Sequence, residues 1–359
     1  MLMHPSIKDV AELAGVSPAT VSNVRTGNKY VRPELVKRVN NAIDQLGYVA
    51  NPMASILRGN KSYNVGVILP TFYHPFHSSM LKGIQDVSFD SEYLINVYPT
   101  ESDQKKERDA LVRFLYAPPD GIIISSYATV DNEYGQACMN TMKAITHGKK
   151  KIPIISLERH IKISGVESIL SDYEKSAYET VEYLIGLGHK KIAHISGPMN
   201  RDVSVRRFNG YKKALDNNGI EFDASIVRES MFTPSSGYLL ALELADNWSN
   251  VEFSAVFAAN DEIGIGAIKA FKENGIRIPQ DIAVIGTDNI YAGTLINPSL
   301  STVNVPAYKI GRMAMSKMLD FLSGAAVPNT DSPTYIDTTI IPRKSTEEDI
   351  ESAWDIYDW

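Results

Sequence analysis

The sequence predicts a small, all-helical N-terminal domain followed by a larger parallel α/β region of two lobes. Three observations support this fold class. Residues 6–24 show a helix-turn-helix pattern, residues 51–58 form a short capped segment, and from Tyr63 onwards apolar strands alternate with amphipathic helices. The 359 residues leave room for two or three domains and a sizeable core.

The first helix is expected to begin after Ser6, a favoured N-cap residue, with the acidic Asp9 near its positive end. Apolar residues then recur at helical spacing, at Val10, Ala11 and Ala14. Gly15 follows where a tight turn between helices needs a left-handed backbone, which glycine adopts without a Cβ penalty. The pattern therefore predicts a helix that ends in a sharp turn.

A second helix is expected after Ser17, which can cap it, with Pro18 at the first helical position. Val21 and Val24 would face the first helix, which leaves small and polar residues on the outer face. Such a face fits the major groove of DNA. A plain helical hairpin in another kind of small domain would show the same spacing, so this segment alone leaves both interpretations open.

A third helix is predicted from Pro33 to about Leu46, with Gly47 as its C-cap. The following segment, Asn51–Arg58, has a cap residue and then a proline, but it is short. A helix of this length is marginal alone in water, so it needs an external partner.

These segments resemble the LacI family of bacterial transcription regulators. The family motifs Ile-Lys-Asp-Val-Ala, Gly-Val-Ser-x-x-Thr-Val-Ser and Leu-Gly-Tyr stand here at Ile7–Ala11, Gly15–Ser22 and Leu46–Tyr48, and the family's hinge helix corresponds to Asn51–Arg58. The resemblance implies that paired hinge helices fold on DNA and that Leu57 wedges into the minor groove, where such side chains kink the duplex. A simple linker role for Leu57 is the alternative.

The residues expected to contact DNA lie at the start of the first helix, on the outer face of the second, in the loop after it and in the hinge. They are Ser6, Ser17, Pro18, Ala19, Thr20, Ser22, Asn23, Tyr30, Asn51, Ala54, Leu57 and Arg58. The family often has Arg or Lys where Asn23 stands. Because Asn favours adenine and Arg favours guanine, the base preference at this position stays open.

The expected nucleic-acid partner is double-stranded DNA with a pseudo-palindromic operator, bound by a homodimer, because a two-fold protein requires a two-fold site. The distribution of charge is consistent with DNA binding through the N-terminal region alone. Lysine and arginine outnumber acidic residues within residues 1–62, whereas the whole chain carries a net charge of −6, so the remainder is strongly acidic. A basic N-terminal region favours contacts with DNA phosphates, and the negative electrostatic field of the acidic remainder disfavours such contacts elsewhere on the protein.

Other protein classes are disfavoured. The single cysteine, Cys138, cannot form an internal disulfide and fits a reducing cytoplasm, and no metal-ligand spacing is present. Gly264–Lys269 begins like a dinucleotide fingerprint but lacks the third glycine, and the chain has no phosphate loop and no nucleophile elbow. We therefore expect no catalytic residues, metal or cofactor. Without an apolar run typical of a signal peptide or membrane span, we expect a cytoplasmic bacterial protein, nucleoid-associated when bound to its operator.

Two rounds of strands and helices after Tyr63 predict two parallel sheets in series. The expected strands are Val65–Leu69, Tyr93–Val97, Gly121–Ser125 and Ile152–Leu157, then Lys191–Ser196, Ala255–Ala258 and Ile282–Gly286. Ligands of such sheets bind at the carboxyl ends of the strands, so a cleft between the lobes is predicted.

The resemblance covers this region too, at Gly188–Pro198, Phe257–Asp261 and Pro279–Asp288. It implies a fold like that of periplasmic sugar-binding proteins, with three chain crossings between the lobes. The expected divisions are a helix-turn-helix domain (1–50), a hinge (51–62), an effector-binding and dimerisation domain (63–345) and an acidic tail (346–359). Within the third, the first lobe is expected over about 63–162 plus 298–325, and the second over about 163–297 plus 326–345.

A small-molecule cleft needs aromatic walls and a few fixed polar groups. Positions that correspond to such contacts in the family are Tyr73, Phe76, Glu158, Arg159, Arg207, Phe232, Asn260 and Asp288. Each type has a structural alternative: an aromatic residue can belong to the core, Glu158 and Arg159 can form a surface pair, and Asn260 can cap a helix.

The resemblance implies a repressor of carbohydrate-utilisation genes that is controlled by a sugar-like effector bound between the lobes. A purine-responsive repressor of the same family is one alternative, because a planar base could lie between aromatic walls. A sugar-binding transport receptor is a second alternative, which the DNA-binding head disfavours.

Overall fold

A computed structural model describes residues 5–26, 29–48, 61–129, 131–246 and 248–350. The chain divides into two compact units, Met1–Ser62 and Tyr63–Trp359. Each unit is built around its own apolar core. Among the described residues, no helix is long and apolar enough to cross a membrane.

The first unit contains α1 (Ile7–Ala14), α2 (Pro18–Thr26) and α3 (Pro33–Leu46). Apolar spacing correctly predicted its core, since the side chains of Val10, Val21 and Val39 are fully buried. The three helices pack through these residues, so the small domain has a single apolar centre.

Side-chain hydrogen bonds stabilise the start of α1 and the turn between α1 and α2. Ser6 and Asp9 form a capping box, in which each backbone N–H donates to the other residue's side chain. Gly15 is left-handed (φ 60°), and the guanidinium of Arg38 on α3 donates to the carbonyl oxygen of Ala14 at 2.6 Å. Glycine is favoured here by its left-handed backbone, and a Cβ at this position would also displace the end of the Arg38 side chain, which would lie 2.5 Å away.

In the second unit, the first part of the chain forms β1 (Asn64–Leu69), α4 (Pro75–Phe89), β2 (Leu94–Pro99), α5 (Gln104–Tyr116), β3 (Gly121–Ser125), α6 (Glu133–His147), β4 (Ile154–Leu157) and β5 (Val166–Leu170). The middle part forms α7 (Tyr173–Gly186), β6 (Ile192–Ser196), α8 (Asp202–Asn217), β7 (Val227–Glu229), α9 (Pro234–Asp246), α10 (Trp248–Val251), β8 (Ala255–Ala258) and α11 (Asp261–Glu273). The last part forms β9 (Ala283–Thr287), α12 (Ala292–Leu295), β10 (Ser301–Asn304), α13 (Ala307–Ser323), β11 (Thr334–Tyr335) and β12 (Thr339–Ile341).

These strands make two six-stranded sheets, one in each lobe. The first sheet has the order β11-β5-β4-β3-β1-β2, and the second has the order β12-β10-β9-β8-β6-β7. Neighbouring strands are parallel except for β12, which runs antiparallel to β10. In each sheet the strand order reverses near the middle, and in open α/β sheets such a reversal marks the ligand crevice.

The predicted lobe boundaries were wrong at three places. β5 pairs with β4 in the first sheet, with Ile154 opposite Val166, although residues from 163 were assigned to the second lobe. β10 pairs with β9 in the second sheet, although residues from 298 were assigned to the first lobe. β11 pairs with β5, whereas residues from 326 were assigned to the second lobe.

The composition of β5 explains why sequence reasoning missed it. Its sequence, Val-Glu-Ser-Ile-Leu, contains Glu167, which is buried and accepts a hydrogen bond from Lys317 Nζ at 2.5 Å. An acidic residue inside a strand interrupts the continuous apolar run by which a buried parallel strand is recognised in a sequence.

Helix α13 returns to the first lobe, where it packs closely on α4. A Cβ at Gly311 would lie 2.0 Å from the carbonyl oxygen of Met80, so the two backbones cross with no room for a side chain. At the C-terminal side, Thr346 is buried and Glu347 accepts a hydrogen bond from Tyr183 Oη at 2.5 Å. The first residues of the predicted tail therefore belong to the second lobe.

Candidate functional site

The first candidate surface is the outer face of α2. Ser17, Pro18 and Ala19 are exposed, whereas Thr20, Ser22 and Asn23 are half-buried along the same helix. Ser17 Oγ accepts a hydrogen bond from the Thr20 backbone N–H at 3.1 Å and so satisfies one free donor at the helix start. The face is shallow and uncharged, and it is compatible with close approach to base edges.

The other predicted DNA contacts fall in two groups. Ser6 lies at the start of α1, where its side chain takes part in the capping box. Tyr30 lies in the loop between α2 and α3 and is 87% exposed. Four predicted contacts, Asn51, Ala54, Leu57 and Arg58, lie outside the described residues.

The second candidate site is a cleft inside the larger unit, where the carboxyl ends of strands from both sheets meet. A cavity of about 370 Å³ lies there, within the size range of small-molecule sites. Seven of the eight predicted effector residues line it: Tyr73, Phe76, Glu158, Arg207, Phe232, Asn260 and Asp288. Arg159 lines a neighbouring cavity of about 250 Å³, which shares Glu158 with the first.

Three of these residues have an unusual backbone conformation. Glu158 (φ 63°), Phe232 (φ 57°) and Asp288 (φ 108°) lie at positive φ, which non-glycine residues adopt infrequently. Such strained residues cluster at binding sites, where the surrounding structure holds them in place. The backbone at these three cleft residues is therefore held in an infrequent conformation by the surrounding structure.

Glu158 follows β4 and is held at the floor of the cleft. Its carboxylate accepts a hydrogen bond from Ser125 Oγ, and His77 Nε2 lies 3.4 Å from its Oε2. Burial opposes ionisation, but the contacts with His77, Ser125 and Arg207 outweigh burial and lower the pKa of Glu158. The floor of the cleft therefore carries a carboxylate in its charged form.

Arg207 and Asp288 form the polar centre of the second lobe. Arg207 Nη2 lies 3.3 Å from Asp288 Oδ1, and both side chains are 7% exposed. The guanidinium also lies over the ring of Tyr173, 5.1 Å from its centroid. Burial raises the pKa of Asp288 to about 6 despite the opposing effect of Arg207, so this carboxylate holds its proton more tightly than usual.

Two aromatic side chains provide apolar walls. Phe76, in the first turn of α4, is buried, and Phe232 follows β7 on the opposite lobe. A Cβ at Gly197 would lie 2.0 Å from Phe232 Cζ, so the position of this ring depends on a glycine after β6. Tyr73 is almost fully exposed at the mouth of the cavity.

Sequence reasoning missed several residues that the fold brings into the cavity. They are His74, His77, Tyr127, Arg201 and Glu262. His74 Nε2 lies 3.1 Å from Asn260 Nδ2 and thereby links the two lobes. Arg201, from the second lobe, donates to the Ser102 carbonyl oxygen at 3.0 Å and lies 4.1 Å from the centroid of the Tyr127 ring in the first.

One signal could have revealed part of this set. His74 and His77 stand one helical turn apart after β1, next to the predicted wall Phe76, so a spacing argument would have placed both at the strand end. Tyr127, Arg201 and Glu262 carry no local signal, because only the pairing of the two sheets brings them together. Asn260 is both a cleft residue and a helix cap, since its Oδ1 accepts from the Ile263 backbone N–H at 2.9 Å.

The chain matches two families of known proteins. Residues 6–51 match the family described as bacterial regulatory proteins, lacI family, and residues 181–346 match the periplasmic binding protein-like domain. Both matches agree with the expected fold and with the resemblance drawn from the motifs.

Similar proteins of known function cover nearly the whole chain. Catabolite control protein A of Priestia megaterium is 32% identical over 91% of this chain and 96% of its own length. The NTD biosynthesis operon regulator NtdR of Bacillus subtilis is 30% identical over 95% of this chain and 100% of its own. The repressor PurR of Vibrio atlanticus is 29% identical over 88% of this chain and 91% of its own.

Solved structures agree. The lac repressor dimer bound to operator and the anti-inducer ONPF superimposes with a TM-score of 0.79 at 25% identity, covering 96% of this chain and 99% of that one. The complex of the regulator CelR with cellobiose gives a TM-score of 0.68 at 26% identity, covering 95% and 99%. These relatives are regulators and not enzymes. The chain belongs to the LacI family of bacterial transcription regulators.

Proposed function

We propose that this protein is a dimeric repressor that binds a pseudo-palindromic operator and is controlled by a small effector in the cleft between its lobes. The observation that carries the proposal is the presence, in one chain, of a helix-turn-helix unit and a separate unit with a cleft that polar and aromatic side chains line. A transport receptor would need only the second unit. The two units together couple a ligand to DNA.

In this proposal α2 enters the major groove of each half-site. Ser17, Pro18, Ala19, Thr20, Ser22 and Asn23 contact the DNA from its outer face, Ser6 from the start of α1 and Tyr30 from the following loop. The hinge residues Asn51, Ala54, Leu57 and Arg58 contact the centre of the operator. Leu57 unstacks one base step there and bends the duplex. The domain divisions given above, corrected at β5, β10, β11 and the start of the tail, are part of this proposal, as is a cytoplasmic, nucleoid-associated location.

The effector site comprises Tyr73, Phe76, Glu158, Arg159, Arg207, Phe232, Asn260 and Asp288. Charged side chains make the strongest hydrogen bonds to hydroxyl groups, and the aromatic walls cover the apolar face of a sugar ring. The cellobiose complex of a structural relative supports a carbohydrate effector. We therefore place this protein in the control of carbohydrate-utilisation genes.

A purine effector is the second candidate. Phe76 and Phe232 line the same cavity from opposite lobes, and repressors named PurR in Vibrio atlanticus and Histophilus somni are 28–29% identical to this chain. A planar base between two rings could accept hydrogen bonds from Arg207 and donate to Asp288.

Control follows from a shift between two arrangements of the lobes. The effector changes operator affinity only to the extent that it binds one arrangement better than the other, typically by about 1–3 kcal/mol. Two contacts cross the cleft, one between His74 and Asn260 and one between Arg201 and Ser102. A change between the two arrangements of the lobes would form or break these contacts.

The proposal is tested in two steps with the full chain. Selection of genomic fragments should recover a two-fold operator, and a thermal-shift screen against sugars, sugar phosphates and nucleobases should find a stabilising ligand. A carbohydrate that stabilises the protein supports the first candidate, and a base supports the second. If no DNA sequence is selected over random fragments, the proposed function is wrong.

A further inference from the structure

Glu262 is a cleft carboxylate whose one ion-pair contact, among the described residues, is with the ring of His74. It stands in the first turn of α11 and lines the cavity, with its side chain only 19% exposed. Over the residues described, no hydrogen bond to this carboxylate is formed, and His74 Nε2 lies 3.9 Å from its Oε2. Burying an ionisable group without a hydrogen-bond partner is unfavourable, so the site is incomplete as it stands.

The two guanidinium groups that line the cavity contact groups other than Glu262. Arg207 lies against Asp288, and Arg201 is held by the Ser102 carbonyl oxygen and the Tyr127 ring. Neither guanidinium is paired with Glu262. Three carboxylates line the cavity. Glu158 lies beside the His77 ring and Asp288 beside Arg207, so Glu262 is the carboxylate of the three that neither His77 nor a guanidinium pairs with.

His74 does not supply the missing positive charge. Burial, together with the neighbouring His77, lowers the pKa of His74 to about 3, so its ring is neutral at physiological pH. Burial and the nearby Asp288 raise the pKa of Glu262 to about 7. Burial is the larger cause of both shifts, and the carboxylate of Asp288 adds to that of Glu262.

A second observation points to a ligand at the same place. His77 lines the cavity, its side chain is 6% exposed, and its Nδ1 atom has no hydrogen-bond partner among the described residues. Buried polar atoms are almost always satisfied in a complete site. A ligand with polar groups in this cavity would lie beside both His77 and Glu262.

We propose that the effector is a polyhydroxylated amine, such as an amino sugar, whose protonated amine binds between Glu262 and Asp288. An ammonium group donates up to three hydrogen bonds and supplies the positive charge that the cleft lacks. Sugar phosphates and uronic acids would add negative charge beside three carboxylates and are excluded on that ground. This inference rests on the proposed function, because it concerns the same cleft.

The test compares matched sugars on the full-length protein by calorimetry. Each set contains a neutral sugar, its amino-deoxy derivative and its acidic derivative: glucose, glucosamine, 6-amino-6-deoxyglucose and glucuronate in the first set, and the corresponding galactose and cellobiose compounds in the others. In at least one set the amine should bind about tenfold more tightly than the neutral sugar, as expected when the hydroxyl that donates to a carboxylate is replaced by a cationic donor.

Glu262→Gln should remove that preference, so that the amine and the neutral sugar bind the variant with affinities within about twofold of each other. The matched control is Glu133→Gln, an exposed glutamate that also stands in the first turn of a helix, which should change nothing.

Equal or tighter binding of the neutral or acidic member overturns the inference, and so does a panel in which no amine binds. A neutral sugar that binds at least as tightly as its amine and changes operator affinity would overturn the inference alone and leave the proposed function intact. The proposed function would be contradicted by a different result, namely that no operator is selected.

Discussion

The side chains of His74 and Asn260 meet across the cleft, with 3.1 Å between His74 Nε2 and Asn260 Nδ2. Each residue is also the N-cap of a helix, His74 of α4 in the first lobe and Asn260 of α11 in the second. Because Asn260 Oδ1 accepts from the Ile263 backbone N–H, its Nδ2 is the atom directed at the histidine. The contact therefore joins two helix starts and is one of the contacts that cross the cleft, together with that between Arg201 and Ser102.

His74→Asn should shift the lobes towards an open arrangement. Asparagine keeps the cap of α4 but is too short to reach Asn260, so one hydrogen bond across the cleft is lost. The loss of about 1 kcal/mol would change the ratio of open to closed molecules by about fivefold. Small-angle X-ray scattering should show a larger radius of gyration than in the matched control His147→Ala, an exposed residue at the end of α6. An unchanged radius would contradict the bridging role.

The raised pKa of Asp288 predicts a specific dependence of stability on pH. Its pKa rises from 3.8 to about 6 in the folded protein, so between these values the folded state binds more protons than the unfolded state. The free energy of unfolding should therefore fall as pH rises through this window, by up to about 3 kcal/mol from this group.

Asp288→Asn removes that contribution, so its stability should fall less steeply than that of the wild type between pH 4 and 6.5 in urea unfolding experiments. Asp281→Asn is the control. Its hydrogen bonds with Arg277 lower the pKa of Asp281 to about 2, so its effect lies below this window. Parallel profiles for Asp288→Asn and the wild type would refute the assignment.

Gly197→Ala should weaken effector binding with little effect on folding. The new Cβ would displace the ring of Phe232, which can move into the open cavity, so the apolar wall is lost while the core is kept. We expect about tenfold weaker binding, or roughly 1.4 kcal/mol, by calorimetry. Gly186→Ala is the matched control, because a Cβ there meets nothing within 4 Å. Equal affinity for all three proteins would remove Phe232 from the site.

Asn23→Ala should reduce binding to the selected operator but not to random DNA. A bidentate contact with a base edge contributes about 1–3 kcal/mol to discrimination, whereas non-specific affinity comes from phosphate contacts that this change leaves intact. Gel-shift titrations should compare it with Asn40→Ala, an exposed position on α3. If both variants bind the operator like the wild type, α2 does not read bases through Asn23.

The parts of the fold that could be predicted from the sequence depend on local signals. Capping at Ser6, the left-handed turn at Gly15 and the apolar spacing of Val10, Val21 and Val39 each act within one helix or turn, so they are readable from a single chain. The resemblance to a family also named seven residues that line the cavity, and their roles in binding are still proposals.

What could not be predicted depends on pairing between distant segments. β5 was not predicted because Glu167 interrupts its apolar run. The lysine that donates a hydrogen bond to Glu167, Lys317, lies 150 positions away in the sequence. Arg201 and Tyr127 meet only because two sheets face each other. No local pattern contains that information.

The central claim is that occupancy of the cleft changes affinity for DNA. The most direct measurement is fluorescence anisotropy of the full chain on its selected operator, with and without the ligand that gives the largest thermal shift. The account predicts that this ligand changes the operator Kd by about 5- to 150-fold, and that Asp288→Ala abolishes the change while keeping operator binding. An operator Kd that is the same with and without bound ligand would contradict the account.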